Sequence, residues 1–281
     1  ATPRVTRLYI SANDWARYDS QALAWCGRYG MINDDPAAPN EGQYEKVMPI
    51  GPSFGIRDWG GVPRTLRDLC RIPAQHRRKP RRAHKVLEAT KRLSGRVPER
   101  SYTPGQSRDG YVYYVSWPWK KHPEVNPPRA RFMRACKSLP GCEFEGGFAP
   151  RRRKDIADVE DITAREIYPF REWLRKTRES ATVFNCPAVH ACLGWKLGEF
   201  LALGKAIISL PLSRAMPRPL EHGEHVHYVN DDQAEVTDAI AKLVWDREYR
   251  TKLELGARRY YLDFLAPERV ISRLAFGDRL G

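Results

Sequence analysis

The most chemically suggestive stretch of this 281-residue chain is GWKLGEFLALGKAIISLPL, residues 194–212. Its first half has helical character and its second half reads as a strand. One carboxylate, Glu199, stands inside the apolar helix, and Phe200, Leu201 and Leu203 leave it little polar face. A carboxylate has the acceptor capacity to take hydrogen bonds from two adjacent hydroxyls, as it does with a ribose diol. Gly194, Trp195 and Lys196 open the helix, so unpaired backbone N–H groups and the positive helix end stand where a phosphate binds readily. Lys196 adds a full positive charge in that first turn, where the dipole disfavours cations and an anionic ligand would account for it. Gly198 permits close packing or close approach of a ligand, and Gly204 ends the helix. Together these residues predict a site for a ligand with a diol and a phosphate, as a nucleotide carries.

Such residues need a scaffold, and from Asp109 onward the pattern is regular. YVYYVSW is a buried-strand run, PPRARFMRACKSL a helix with Pro in its first turn, and CEFEGGFA a strand ending in glycines. YPFREWLRKTRES then places Phe170, Trp173 and Leu174 on one helical side, and ATVFNCPA follows as another strand. After the helix around Glu199 come the strand KAIISLPL, the strand HVHYVN and a helix in AEVTDAIAKLVWDREY with Val236, Ile240, Leu243 and Val244 at helical spacing. APERVISRLAF reads as a terminal helix. Strands alternating with helices of this length predict an α/β fold with a parallel sheet covered on both faces. Ligands bind such sheets outside the carboxyl ends of the strands. That rule singles out Ser116 and Trp117 after the first of these strands and Gly146, Gly147 and Phe148 at the second, where glycines would let backbone approach a ligand. It also selects the loop leading into Gly194.

The region before Asp109 reads differently. VTRLYISAND holds a short strand, KVMPIGPSFGIRDWGGVP is crowded with Gly and Pro, and Val86, Leu87 and Leu93 permit one helix before the turn-rich SYTPGQSRDG. The expected organisation is a partial N-terminal region with a basic linker over 1–107, a ligand-binding domain over 108–265 and a C-terminal helix over 266–281. The first ten residues contain no initiating Met and no apolar signal core, so a longer precursor is expected.

The formal net charge of +14 is local. HRRKPRRAHK, with Arg77, Arg78, Lys79, Arg81 and Arg82, supplies six cations, and Arg151, Arg152, Arg153 and Lys154 supply four, leaving +4 elsewhere. These runs read as solvated basic loops, with nucleic acid or an anionic membrane surface as the partners they would attract. No apolar run approaches the roughly 20 residues of a membrane-spanning helix, so a soluble, cytoplasmic protein is expected, with peripheral membrane attachment as its variant. The six cysteines contain no C-x-x-C pair and are read as reduced. Cys186, His190 and Cys192 match no standard zinc module, and His225 and His227 lack a carboxylate of fixed register, so no metal and no cofactor are expected.

GWKLGEFLALGKAIIS, followed by LEHGEHVHYVND and VTDAIAKLVWDREYRTKLELGARRYY, resembles the C-terminal domain of group 1-like GT-B-fold glycosyltransferases. The family pattern E-x-x-A-x-G-x-P is met by Glu199, Ala202 and Gly204, with Ala206 in place of the proline. The resemblance covers roughly residues 109–276. It implies a Rossmann-like donor domain of GT-B type with a reduced or truncated N-terminal acceptor domain, a donor ribose on Glu199 and a diphosphate at Gly194–Lys196. It also implies departures: a second Glu eight positions earlier is replaced by Ala191, and the family's Arg and Lys after the first strand have only Lys120 and Arg129 as rough counterparts. No catalytic base is assigned; Arg57 and Asp58 mark the loop to search first. The expected activity is transfer of a sugar, a hexose or related unit, from a UDP- or GDP-sugar type donor. The alternatives are a nucleic-acid-binding or nucleic-acid-modifying protein and a non-catalytic interaction module.

Overall fold

A computed structural model describes residues 7–37, 45–57, 95–151 and 156–277. The predicted helix around Val86 to Leu93 therefore lies outside the described residues, as do Asp58, Arg77, Arg78, Lys79, Arg81, Arg82, Arg152 and Arg153.

The larger sheet is laid down in the predicted order. Strands β4 (Tyr111–Ser116) and β5 (Glu143–Phe148) pair in parallel, and β6 (Val183–Asn185), β7 (Ile207–Ser209) and β8 (His227–Tyr228) form a second parallel set. Two hydrogen bonds join the sets at one edge: the Ala181 N–H donates to the Tyr111 carbonyl at 2.7 Å, and the Tyr113 N–H donates to the Ser180 hydroxyl at 2.8 Å. The spatial order is therefore β5-β4-β6-β7-β8. The chain moves outward from β4 to β5 and then returns to β6 on the other side of β4. That reversal opens a crevice between the carboxyl ends of β4 and β6, where doubly wound sheets bind ligands.

The connecting helices are α2 (Asn126–Ser138), α3 (Phe170–Glu179), α4 (Trp195–Ala202), α5 (Gln233–Trp245) and α6 (Arg247–Tyr260). One stretch departs from the sequence pattern: the run expected as a single helix after residue 233 is two helices. Asp246 has non-helical backbone angles, and its carboxylate accepts the Tyr249 N–H at 2.9 Å, so it closes α5 and caps α6. The buried residues Val236, Ile240, Leu243 and Val244 lie on the predicted inner face of α5.

The N-terminal region is more ordered than its composition suggests. Strands β1 (Leu8–Ser11), β2 (Arg28–Met31) and β3 (Val47–Pro49) form a small parallel sheet, with α1 (Ser20–Trp25) between the first two. β1 lies in the strand predicted in VTRLYISAND, whereas β2 and β3 are four and three residues long, too short to show a clear period among Gly, Pro and polar residues. The final helix, α7 (Pro267–Phe276), crosses back to this sheet, where Leu274 shares a core with Ile32 and Ile50. A Cβ on Gly30 would meet Leu274 at 3.0 Å. Val97 and Tyr102, in the stretch read as linker, belong instead to the larger core.

Candidate functional site

A cleft of ≈ 340 Å³ lies beyond the carboxyl ends of β4 and β5, against the start of α4. Glu199, Lys196 and Trp195 of α4 line one side, Ser116 and Trp117 at the end of β4 line another, and Arg96, Tyr168, Phe170 and Trp173 complete it. Five of the residues singled out in the sequence thus meet in one place. Gly194 adjoins them in extended conformation immediately before α4 and offers no side-chain cap; its carbonyl accepts the Leu197 N–H at 3.1 Å.

Glu199 is only 3% exposed. Burial pushes its carboxyl above the ordinary carboxylate range, opposed by the Arg96 guanidinium at 2.5 Å. Arg96 is in turn held over the Phe170 ring at 4.4 Å and the Trp195 ring at 5.1 Å. Burial also raises the Tyr102 phenol, with the Glu199 charge acting in the same direction. Lys196 donates to the Val115 carbonyl and lies 4.5 Å from the centre of the Tyr114 ring. Its ammonium pKa is lowered to about 7, chiefly by burial and next by the Arg129 charge. Arg129 is buried, and its Nε donates to the Cys186 sulfur at 3.3 Å. The cleft therefore combines a buried carboxylate with an ammonium that an anion would recharge.

The glycines divide by role. Gly204 takes φ +57 just beyond α4 and ends it as predicted, its N–H donating to the Leu201 carbonyl at 3.0 Å. Gly198 does not line the cleft: a Cβ there would stand 2.8 Å from the Phe54 ring and 3.2 Å from the Pro52 carbonyl, so this glycine permits packing. Gly146 and Gly147, at φ +118 and +129, let β5 approach protein: added Cβ atoms would fall 2.1 Å from the Tyr114 oxygen and 2.3 Å from the Ile162 oxygen. Phe148 is fully buried in the core, so these three residues do not line the cleft.

Arg96 is not among the residues the sequence singles out; it stands in SGRVPER, within the stretch read as basic linker. Phe170 and Trp173 were placed only on an inner helix face. Arg57 bonds through its backbone N–H to the Val97 carbonyl at 3.0 Å and does not line the cleft. Lys120 and Arg151 are exposed at the carboxyl ends of β4 and β5, while Ala191 occupies the loop before α4 at φ +57. His227 bonds Tyr249 through Nδ1 at 2.8 Å, and His225 accepts the Glu221 N–H at 3.0 Å. Among the described residues no group of three His, Cys, Asp or Glu could hold a metal ion, Cys186, His190 and Cys192 included. Among them, too, no helix is long and apolar enough to cross a membrane.

A parallel α/β sheet with a crevice at its reversal point, a second small parallel sheet and a last helix that crosses back make this a GT-B-type fold. The chain is similar over 95% of its length to a glycosyltransferase from Rickettsia africae, at 9% identity and a TM-score of 0.51, and covers 68% of that protein. It also resembles HepE from Anabaena, solved in complex with UDP and glucose (9% identity, TM-score 0.49, 95% of this chain and 70% of that one). A third similar structure, TarM, shares 10% identity over 60% of this chain at a TM-score of 0.46, and only 35% of TarM is covered. No family model and no curated protein matches the sequence.

Proposed function

We propose that the chain transfers a glycosyl group from a nucleoside-diphosphate sugar bound in the cleft at Glu199. The observation that carries this reading is the placement of a buried carboxylate and a charge-depleted lysine one turn apart, on a helix that starts at the crevice of a GT-B-type sheet. Glu199 would take the ribose hydroxyls, with Arg96 sharing its charge. Lys196 and the first-turn N–H groups of α4 would hold the diphosphate. As the bond from the sugar to the diphosphate breaks, negative charge grows on the departing phosphate, and fixed donors aimed at that charge lower the barrier. Lys196 is suited to this role because burial and the Arg129 charge disfavour its proton, and an arriving anion would favour it.

Titration calorimetry with UDP-, GDP-, dTDP- and ADP-sugars tests the reading. At least one should bind the wild-type chain, and Glu199→Ala should weaken it by about tenfold or more, the loss of roughly one charge-assisted hydrogen bond. Equal affinity of both proteins for every donor, or no binding at all, would remove the site.

A further inference from the structure

Beyond the end of β4 the chain passes through Trp117, Pro118 and Trp119, and burial alternates along these residues. Trp117 is 56% exposed, Pro118 is buried and Trp119 is 42% exposed. Residues two apart in an extended segment share a side, so both indoles stand toward solvent. The segment is stiff. Pro118 has a fixed φ and restricts the residue before it. The Trp119 N–H donates to Asn126 Oδ1 at 2.9 Å, and its carbonyl accepts from Asn126 Nδ2 at 2.8 Å, with Asn126 itself buried. The backbone that carries the two rings is thus held before anything is laid across them, which lowers the ordering cost of binding.

The pair is continuous with the cleft, because Trp117 lines it beside Lys196 and Glu199. On the far side the ring series continues through His122, 6.2 Å from Trp119, to His190, 5.1 Å from His122, and ends on Trp15, stacked against His190 at 3.6 Å. Trp15 follows β1, so the series spans from the larger sheet to the smaller. His190 holds φ +59, a left-handed conformation that is unfavourable for a non-glycine residue. The Arg214 guanidinium secures it by donating to its carbonyl at 3.0 Å, and pairs with Asp35 at 2.8 Å.

The surroundings carry both signs of charge. Lys120 and Lys121 stand with Glu124, which lies 3.3 Å from His122, and Glu166 lines the cleft. Flat apolar faces within a rim of mixed donors and acceptors suit a neutral ring that has C–H groups on its faces and hydroxyls around its edge. An anionic lipid surface would meet the two carboxylates.

We propose that Trp117 and Trp119 form the acceptor platform of this cleft and that the acceptor presents a carbohydrate ring to them. This rests on the donor reading above, whose own test is separate. The full chain, Trp119→Ala and Trp119→Phe would each be applied to an oligosaccharide microarray and to phosphatidylglycerol vesicles, and donor affinity measured alongside. Wild type should retain at least one glycan, Trp119→Ala should lose it by about tenfold, and Trp119→Phe should keep most of it, an effect of the size that exposed aromatic anchors give. Donor binding in Trp119→Ala should stay within about twofold of wild type. No glycan retained, or equal retention by Trp119→Ala, overturns the platform. So does Trp119-dependent vesicle binding without glycan binding. Glycan retention without donor binding would overturn the transfer reading alone.

Discussion

The Arg96 guanidinium meets the Glu199 carboxylate at 2.5 Å across 103 positions of sequence, with the rings of Phe170 and Trp195 on the arginine. The pair ties the segment before β4 to the helix that carries the site. Removing the arginine strands a carboxylate that is nearly inaccessible. Breaking a fully buried pair costs about 3–5 kcal/mol, and the partial exposure of Arg96 brings the expected loss for Arg96→Ala to about 2–3 kcal/mol. Glu199→Gln keeps the packing and should cost less. The double variant should fall short of the summed losses, because the two residues act as a unit. Urea denaturation of all three measures this, and a change below about 0.5 kcal/mol in Arg96→Ala would show the pair to be idle.

Lys196 gives a pH dependence of definite sign. Its ammonium is lowered from an ordinary 10.5 to about 7, so between those values the unfolded chain holds a proton that the native chain has released. Stability therefore rises with pH across that window: the burial penalty is complete below about pH 7 and gone above about pH 10.5. Lys196→Met should be more stable than wild type at the acid end, with the gap closing as pH climbs. Thermal melts across the window check it; a gap that ignores pH would contradict the assignment. An arriving diphosphate should also recharge the lysine, so donor binding near pH 8 should take up part of a proton, visible by calorimetry in buffers of different ionisation enthalpy.

Gly198→Ala sets two effects against each other. Alanine in a helix interior gains about 1 kcal/mol over glycine. Here the new methyl would press on the Phe54 ring, which is confined between Tyr102 at 4.7 Å and Tyr261 at 6.1 Å, and on the Pro52 backbone. Overpacking of this kind costs about 1–3 kcal/mol, so a net destabilisation of about 1 kcal/mol is expected in denaturant melts. Gly194→Ala, with only Ala188 at 3.8 Å, is the control and should be nearly neutral.

The larger sheet was readable because its signals are local: YVYYV is buried on both faces, Pro127 and Pro128 open α2, and Gly204 stops α4. The site was readable in the part that lies on one helix, since Trp195, Lys196 and Glu199 are neighbours by helical geometry. Arg96 was not, because the contact that gives it meaning spans a distance no periodicity records. Of the small sheet β1 was legible, in VTRLYISAND, but β3 was not: it has three residues, one of them a proline, and its register is set by pairing with β2. Gly146 and Gly147 show the converse. Their spacing near a strand end suggested a ligand, yet the close neighbours are the Tyr114 and Ile162 carbonyls.

The return of α7 to the first sheet also has a consequence for the order of events during synthesis. Ile32 and Ile50 emerge early, but the Leu274 side chain that completes their cluster is made only after all eight strands. The larger core also draws on late residues, Tyr260, Tyr261, Leu265 and Ala266, but these precede Leu274. Among the described residues, strands made early are thus sealed late, and until α7 arrives Ile32 and Ile50 lack the side chain that covers them.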